Sequence, residues 1–265
     1  MPFTEDRTNS YGSTIDQFSY NPDGMHDIGT VYHYNKSNID GSKKSDVWIY
    51  IKSNNSTESF KIYPGAYKSG ITDLVIADYD YKTFTISELS AYLIYNNGQR
   101  KINAKMTSGD GNKFNLKIGK QDQKGYEVSV KHVPTYNYNF DLCDFSFMYR
   151  HLRNKNGTLN FGVIAPNSFM KFVYAGKASL IYVADEEKNG VLCKKYEITG
   201  DAFGNKKGYI YYEKQNGYLV EINMPYPNNG NFNSFNMILK NKTELSLEDW
   251  NNLIINETNK LTNRK

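Results

Sequence analysis

The sequence predicts a mainly β protein, an antiparallel meander that curls into a barrel or a pair of sheets and carries two helices. Three observations lead there. Apolar residues alternate with polar ones in many short runs, the period of a strand with one buried face. Turn formers separate the runs, and Asn-Gly pairs at 97–98, 189–190 and 216–217 sit between apolar stretches, where a type I′ hairpin turn needs residues that accept positive φ. Aromatic residues make up 15% of the 265 residues, with 23 Tyr and 14 Phe, which suits half-buried strands and excludes a disordered chain.

The elements follow in order. Residues 1–25 have no sustained periodicity and read as a loosely ordered N-terminal arm ahead of one β-rich domain, 26–265. Strands are expected at 30–34, 47–52, 60–63 and 73–78, then at 84–86, 91–95, 102–106, 114–118 and 127–132. The second half repeats the style at 172–174, 178–184, 191–198, 209–212, 218–222 and 235–239. The spacing implies about ten to fourteen strands in the whole chain. Two segments change period. Leu142, Phe145, Tyr149 and Leu152 are three or four residues apart, so a helix is expected near 140–153, with Asn139 as its cap and Arg150, His151 and Arg153 at its dipole-favoured end. A C-terminal helix is expected near 247–261, where Ser246 and Asp249 form a capping box and Trp250, Leu253 and Ile254 make an apolar stripe.

Charge and motifs narrow the function classes. The 32 Lys and Arg against 28 Asp and Glu give a net charge of +4, and only five residues are Arg: 7, 100, 150, 153 and 264. Nucleic-acid surfaces favour Arg forks in dense basic stripes, so no nucleic-acid partner is expected. No run of apolar residues is long enough for an integral membrane helix. The start of the chain shows no positive stretch followed by an apolar one, so a cytoplasmic location is expected. Cys143 and Cys193 form no metal-ligand or redox pair, and a buried thiol is the plainer reading of each. His26, His33, His132 and His151 stand far apart, so no metal is expected, and no phosphate-loop motif occurs, so no cofactor is expected.

Three clusters remain as candidate sites. Arg150 and His151 concentrate anion-binding and proton-transfer groups in the expected first helix, though solvated residues closing a helix end are the plainer reading. His33 and Tyr34 lead into the polar turn at 38–42, a place where barrel mouths hold ligands and also where plain surface hairpins occur. Glu197, Tyr211 and Glu221 lie on central strands, facing either solvent or a lined cavity. Tyrosine is the distinctive residue. Its broad apolar face and single hydroxyl suit a cavity that holds a partly polar molecule.

The stretches Tyr174-Ala175-Gly176-Lys177-Ala178, 191–198, 208–213 and 217–222 resemble the strand rhythm of bacterial lipocalin-like sheet proteins over roughly residues 172–240, without the Gly-x-Trp signature of that family; Trp48 sits instead in Asp46-Val47-Trp48. The resemblance implies consecutive strands curled around an apolar ligand. The leading expectation is a binding protein for a hydrophobic or aromatic small molecule, lined by Tyr34, Trp48, Tyr196, Tyr211 and Glu221. The alternatives are a cyclase or isomerase using His33, Arg150, His151 and Glu197 as its enclosed ionisable groups, and a structural protein that needs no cavity.

Overall fold

The computed structural model describes residues 26–80, 85–109, 112–119, 125–132, 134–137, 145–146, 149–152, 155–167, 171–225 and 232–262. The first half supplies eight strands: β1 (Thr30–Ser37), β2 (Ser45–Ser53), β3 (Ser56–Ile62), β4 (Thr72–Asp80), β5 (Thr85–Ile94), β6 (Arg100–Ser108), β7 (Lys113–Ile118) and β8 (Tyr126–Ser129). The second half supplies seven: β9 (Thr135–Asn137), β10 (Thr158–Pro166), β11 (Phe172–Lys188), β12 (Val191–Thr199), β13 (Gly208–Glu213), β14 (Leu219–Met224) and β15 (Phe235–Glu244). A short helix α1 (Ala66–Ser69) follows β3, and α2 (Leu247–Thr262) follows β15.

All fifteen strands belong to one sheet, in the order β8-β7-β6-β5-β4-β3-β2-β1-β15-β14-β13-β12-β11-β10-β9. Each half is a meander, and the antiparallel pairing of β1 with β15 joins the two. Among the described residues only β9 runs parallel to its neighbour, β10. The chain passes from β8, at one end of the sheet, to β9, at the other. Ser129 and Thr135 bound that passage, and six peptide steps reach at most about 21 Å. A flat sheet of this size would separate its end strands by roughly 67 Å. The sheet is therefore curled until its ends nearly meet, and Phe172 N of β11 donates a 2.9 Å hydrogen bond to the Tyr126 hydroxyl of β8. The β8 and β9 edges share no ladder, so the curl is an open one rather than a closed barrel.

The inner face carries the larger core, including Tyr32, Tyr34, Val47, Ile49, Tyr196, Ile210 and Tyr212. On the outer face of β1–β5 lies a second core of Val31, Trp48, Tyr50, Phe60, Ile62, Leu74 and Ile94, covered by Trp250, Ile254 and Leu261 of α2. These strands are buried on both sides, and every residue of β3 is buried. The α2 cap matches its sequence signal: Ser246 Oγ accepts from Asp249 N at 3.1 Å and bonds Asp249 Oδ2 at 2.6 Å. Trp250 Nε1 donates to Glu58 Oε2 at 2.8 Å, which anchors the helix on β3.

The structure differs from the sequence expectations in three places. Strands β9 and β10 were not expected. The runs at 84–86 and 91–95 belong to one strand, β5, as do 172–174 and 178–184, in β11, where Gly176 at φ 128° bends the chain without ending it. Of the helix expected at 140–153, Phe145 and Ser146 are helical and Tyr149–His151 is a single 3-10 turn. Asn139, Leu142, Cys143 and Arg153, like the arm at 1–25, lie outside the described residues. Cys193 is a buried free thiol.

Candidate ligand-binding site

One end of the curl opens into a pocket of about 280 Å³, whose walls include Asp27, Thr30, Tyr32, Asn216, Tyr218 and Lys242. Three elements converge here: the start of β1, the end of β15 and the turn between β13 and β14. The register sets Thr30 opposite Glu244 and Tyr32 opposite Lys242, which places the residues of both strands around one opening. Gly217 shapes the third wall. It adopts φ 75°, and a Cβ there would lie 2.8 Å from Tyr149 Cδ1, so only glycine lets the Asn216–Tyr218 turn rest on the Tyr149 ring.

Asp27 forms the floor, and a buried charge lies behind it. The Arg150 side chain is 1% exposed, and its Nη1 donates to Asp27 Oδ1. The Tyr32 hydroxyl donates to Asp27 Oδ2, so both carboxylate oxygens are occupied. The Arg150 guanidinium carbon lies 5.7 Å from the centre of the Tyr32 ring, and Lys242 Nζ lies 4.7 Å from that of Tyr218. The two rings stack with centroids 5.5 Å apart and planes 26° apart. Stacked aromatics with a cation against each present an apolar wall with polar ends. Burial raises the Tyr32 hydroxyl well above the usual phenol value, as it raises that of Tyr218, so both remain protonated donors at neutral pH.

Behind the floor the interior is packed ring on ring. Tyr149 stacks on Tyr212 at 4.4 Å and 8°, and both meet Tyr196 edge-on, at 5.8 and 6.0 Å. The Tyr34 hydroxyl donates to the Leu219 carbonyl at 2.9 Å, and that of Tyr196 to the Lys155 carbonyl. The hydroxyls of Tyr149 and Tyr212 are buried without a hydrogen-bond partner among the described residues. The tyrosines expected to line a hollow thus largely fill it, and the open space lies at the mouth.

The sequence candidates separate across the sheet. Arg150, Tyr34 and Tyr196 belong to the inner face, and His151 closes the turn that carries Arg150. His33 and Trp48 are cross-strand partners on the outer face, stacked at 4.4 Å and 8°, and His33 Nε2 bonds Asp46 Oδ1 at 2.8 Å. They border a separate depression of about 240 Å³ with Tyr67 and Lys260. Glu197 faces Tyr209, and Tyr211 faces both Lys195 and Glu221, so these residues share the face opposite Tyr196. Glu197 pairs with Lys207 at 3.1 Å and Glu221 with Lys188 at 3.3 Å, and Lys188 Nζ lies 4.5 Å from the Tyr211 ring centre. Four strand spacings, roughly 19 Å, separate β1 from β12. The structure therefore does not bring His33, Arg150 and Glu197 together.

Sequence reasoning did not single out Asp27, Tyr32, Gly217, Tyr218 and Lys242 as site residues. The pocket depends on the β1–β15 pairing, and no local pattern announces a contact between the two ends of the chain. Among the described residues, no group of three or more His, Cys, Asp and Glu side chains is placed to hold a metal ion, and no helix is long and apolar enough to cross a membrane.

No family model matches the chain, and no curated protein matches it. Among solved structures, the chain is similar to a DUF1089 family protein from Pseudomonas aeruginosa, at 9% identity and a TM-score of 0.40, over 66% of this chain and 87% of that one.

Proposed function

We propose that this is a binding protein for a small aromatic or hydrophobic molecule with one polar group, held at the mouth between Tyr32, Tyr218 and Lys242. The observation that carries this reading is the stacked Tyr32–Tyr218 wall in an open pocket, with a fixed polar group at each end. At one end Asp27 is held by Arg150 and Tyr32. At the other, Lys242 has no carboxylate within ion-pair distance among the described residues and keeps its charge for a ligand. A volume of about 280 Å³ falls just below the roughly 300–1,000 Å³ of drug-sized sites, so the ligand is smaller than those.

The test is calorimetry and thermal unfolding with 4-hydroxybenzoate, indole and benzylamine, which differ in charge but share a ring. A ligand at a hundred times its Kd stabilises by about 2.7 kcal/mol, and that gain should vanish in Tyr218→Ala. Lys242→Gln should weaken the benzoate selectively. Absence of heat and of stabilisation across all three compounds would overturn the reading.

A further inference from the structure

Asn-Gly pairs begin at 97, 156, 189, 216 and 229, and all but the last lie within the described residues. The dipeptide is the same each time, so its surroundings decide what it can do. At Asn97, Gly98 N donates to the Tyr95 carbonyl at 2.8 Å, and the carboxamide oxygen accepts from Gln99 N at 2.9 Å. At Asn216, Gly217 N donates to the Glu213 carbonyl at 3.0 Å and the glycine is wedged against Tyr149. At Asn156 the carboxamide oxygen is held by Lys194 Nζ. Asn189 is the contrast. It forms the tip of the β11–β12 hairpin with Gly190, between the cross-strand partners Lys188 and Val191. Both tip residues are exposed, at φ 52° and 77°. Among the described residues neither Gly190 N nor the Asn189 side chain makes a hydrogen bond, and a Cβ on Gly190 would meet nothing within 4 Å.

We propose that Asn189 is a modification site, at which the chain converts itself to isoaspartate and aspartate through a succinimide. Hydroxide takes the proton of Gly190 N, and the nitrogen attacks Asn189 Cγ. The bond from Cγ to the side-chain nitrogen breaks, and that nitrogen leaves as ammonia. Water then opens the five-membered ring at either carbonyl. The balance is one asparagine and one water giving one acid and one ammonia, with no change of oxidation state. The attack requires the Asn189–Gly190 peptide to rotate, which here breaks no hydrogen bond and meets open space. The same rotation at Gly98 or Gly217 must first break a backbone bond. Isoaspartate carries its side-chain methylene in the main chain, so the two-residue turn that sets Lys188 against Val191 loses its geometry. Either product also adds a carboxylate to a tip that already holds Asp185, Glu186 and Glu187.

The test is ageing of the wild-type protein in mildly alkaline buffer, folded and in urea, with peptides mapped by mass and by the chromatography that separates aspartate from isoaspartate. In the folded protein the Asn189 peptide should convert at least about threefold faster than those of Asn97 and Asn216, the factor set by one hydrogen bond that need not break. In urea the three peptides should convert at nearly equal rates, because they share one dipeptide. The Asn189 rate should rise in proportion to hydroxide, with isoaspartate the larger product. A smaller ratio in the folded protein overturns the proposal. Formation of aspartate alone also overturns it, because direct hydrolysis of the carboxamide then explains the change.

Discussion

Replacing Asp27 with alanine removes a carboxylate partner of a guanidinium that the fold keeps from water. Arg150 is 2% exposed, and Asp27 meets its Nη1 while also taking the Tyr32 hydroxyl bond. Breaking a buried ion pair by deleting one partner costs about 3–5 kcal/mol, mainly because the other charge stays buried. The lost hydrogen bond from Tyr32 adds about 1 kcal/mol. For a chain of this length, each kcal/mol moves the midpoint by about 2–4 °C, so the variant should melt on the order of 10 °C lower. The assay is thermal unfolding followed by circular dichroism, run as a double-mutant cycle. Arg150→Met alone should also destabilise, while the Asp27→Ala, Arg150→Met double variant should regain part of the loss, since the buried guanidinium that lost its carboxylate is then gone. A loss below about 1 kcal/mol in Asp27→Ala, or strict additivity in the cycle, would refute the claim that this pair holds the pocket floor.

Three further outcomes are expected. Tyr32, Tyr34, Tyr149, Tyr196 and Tyr212 all have hydroxyls raised by burial, so the folded state keeps protons that the unfolded chain releases above pH 10. Their contribution is fully present below pH 10 and is lost as pH rises, at about 1.4 kcal/mol per pH unit for each. Alkaline unfolding should therefore be steep, and phenolate absorbance should rise together with loss of structure; gradual ionisation of these five in a folded protein would contradict it. Gly217→Ala should destabilise by more than about 1 kcal/mol in urea, since the position combines φ 75° with a 2.8 Å approach to Tyr149. Cys193 should resist thiol reagents at pH 8 until denaturant is added, because burial pushes its thiol up to about 11.

How far the sequence reached depends on the range of the signal. Periodicity and turn chemistry are local, and they gave the β class, the N-capped C-terminal helix and the hairpins at Asn189 and Asn216. Strand β10 escaped because Asn160 and Gly162 interrupt its apolar run and Pro166 ends it. Gly162 is there for a distant reason: a Cβ at that position would sit 2.3 Å from the carbonyl oxygen of His132. Arg150 stood out in the sequence, yet its partner Asp27 did not, because 123 residues separate them. Tyr211 and Tyr196 looked equivalent until the register placed them on opposite faces, a distinction that a one-residue slip would reverse.

The pairing of β1 with β15 also governs how the chain assembles. Thr30 and Glu244 are partners across 214 residues, whereas most other ladders in the sheet join strands that follow one another directly. Closing a loop of that length costs about 5 kcal/mol of chain entropy, while each hairpin closes over a few residues. The two meanders are therefore set to form first as separate halves and to dock along this one seam afterwards. A break introduced between Ser129 and Thr135 would leave each half with its own consecutive ladders, and mixing the two fragments should rebuild the sheet at a rate that rises with their concentration.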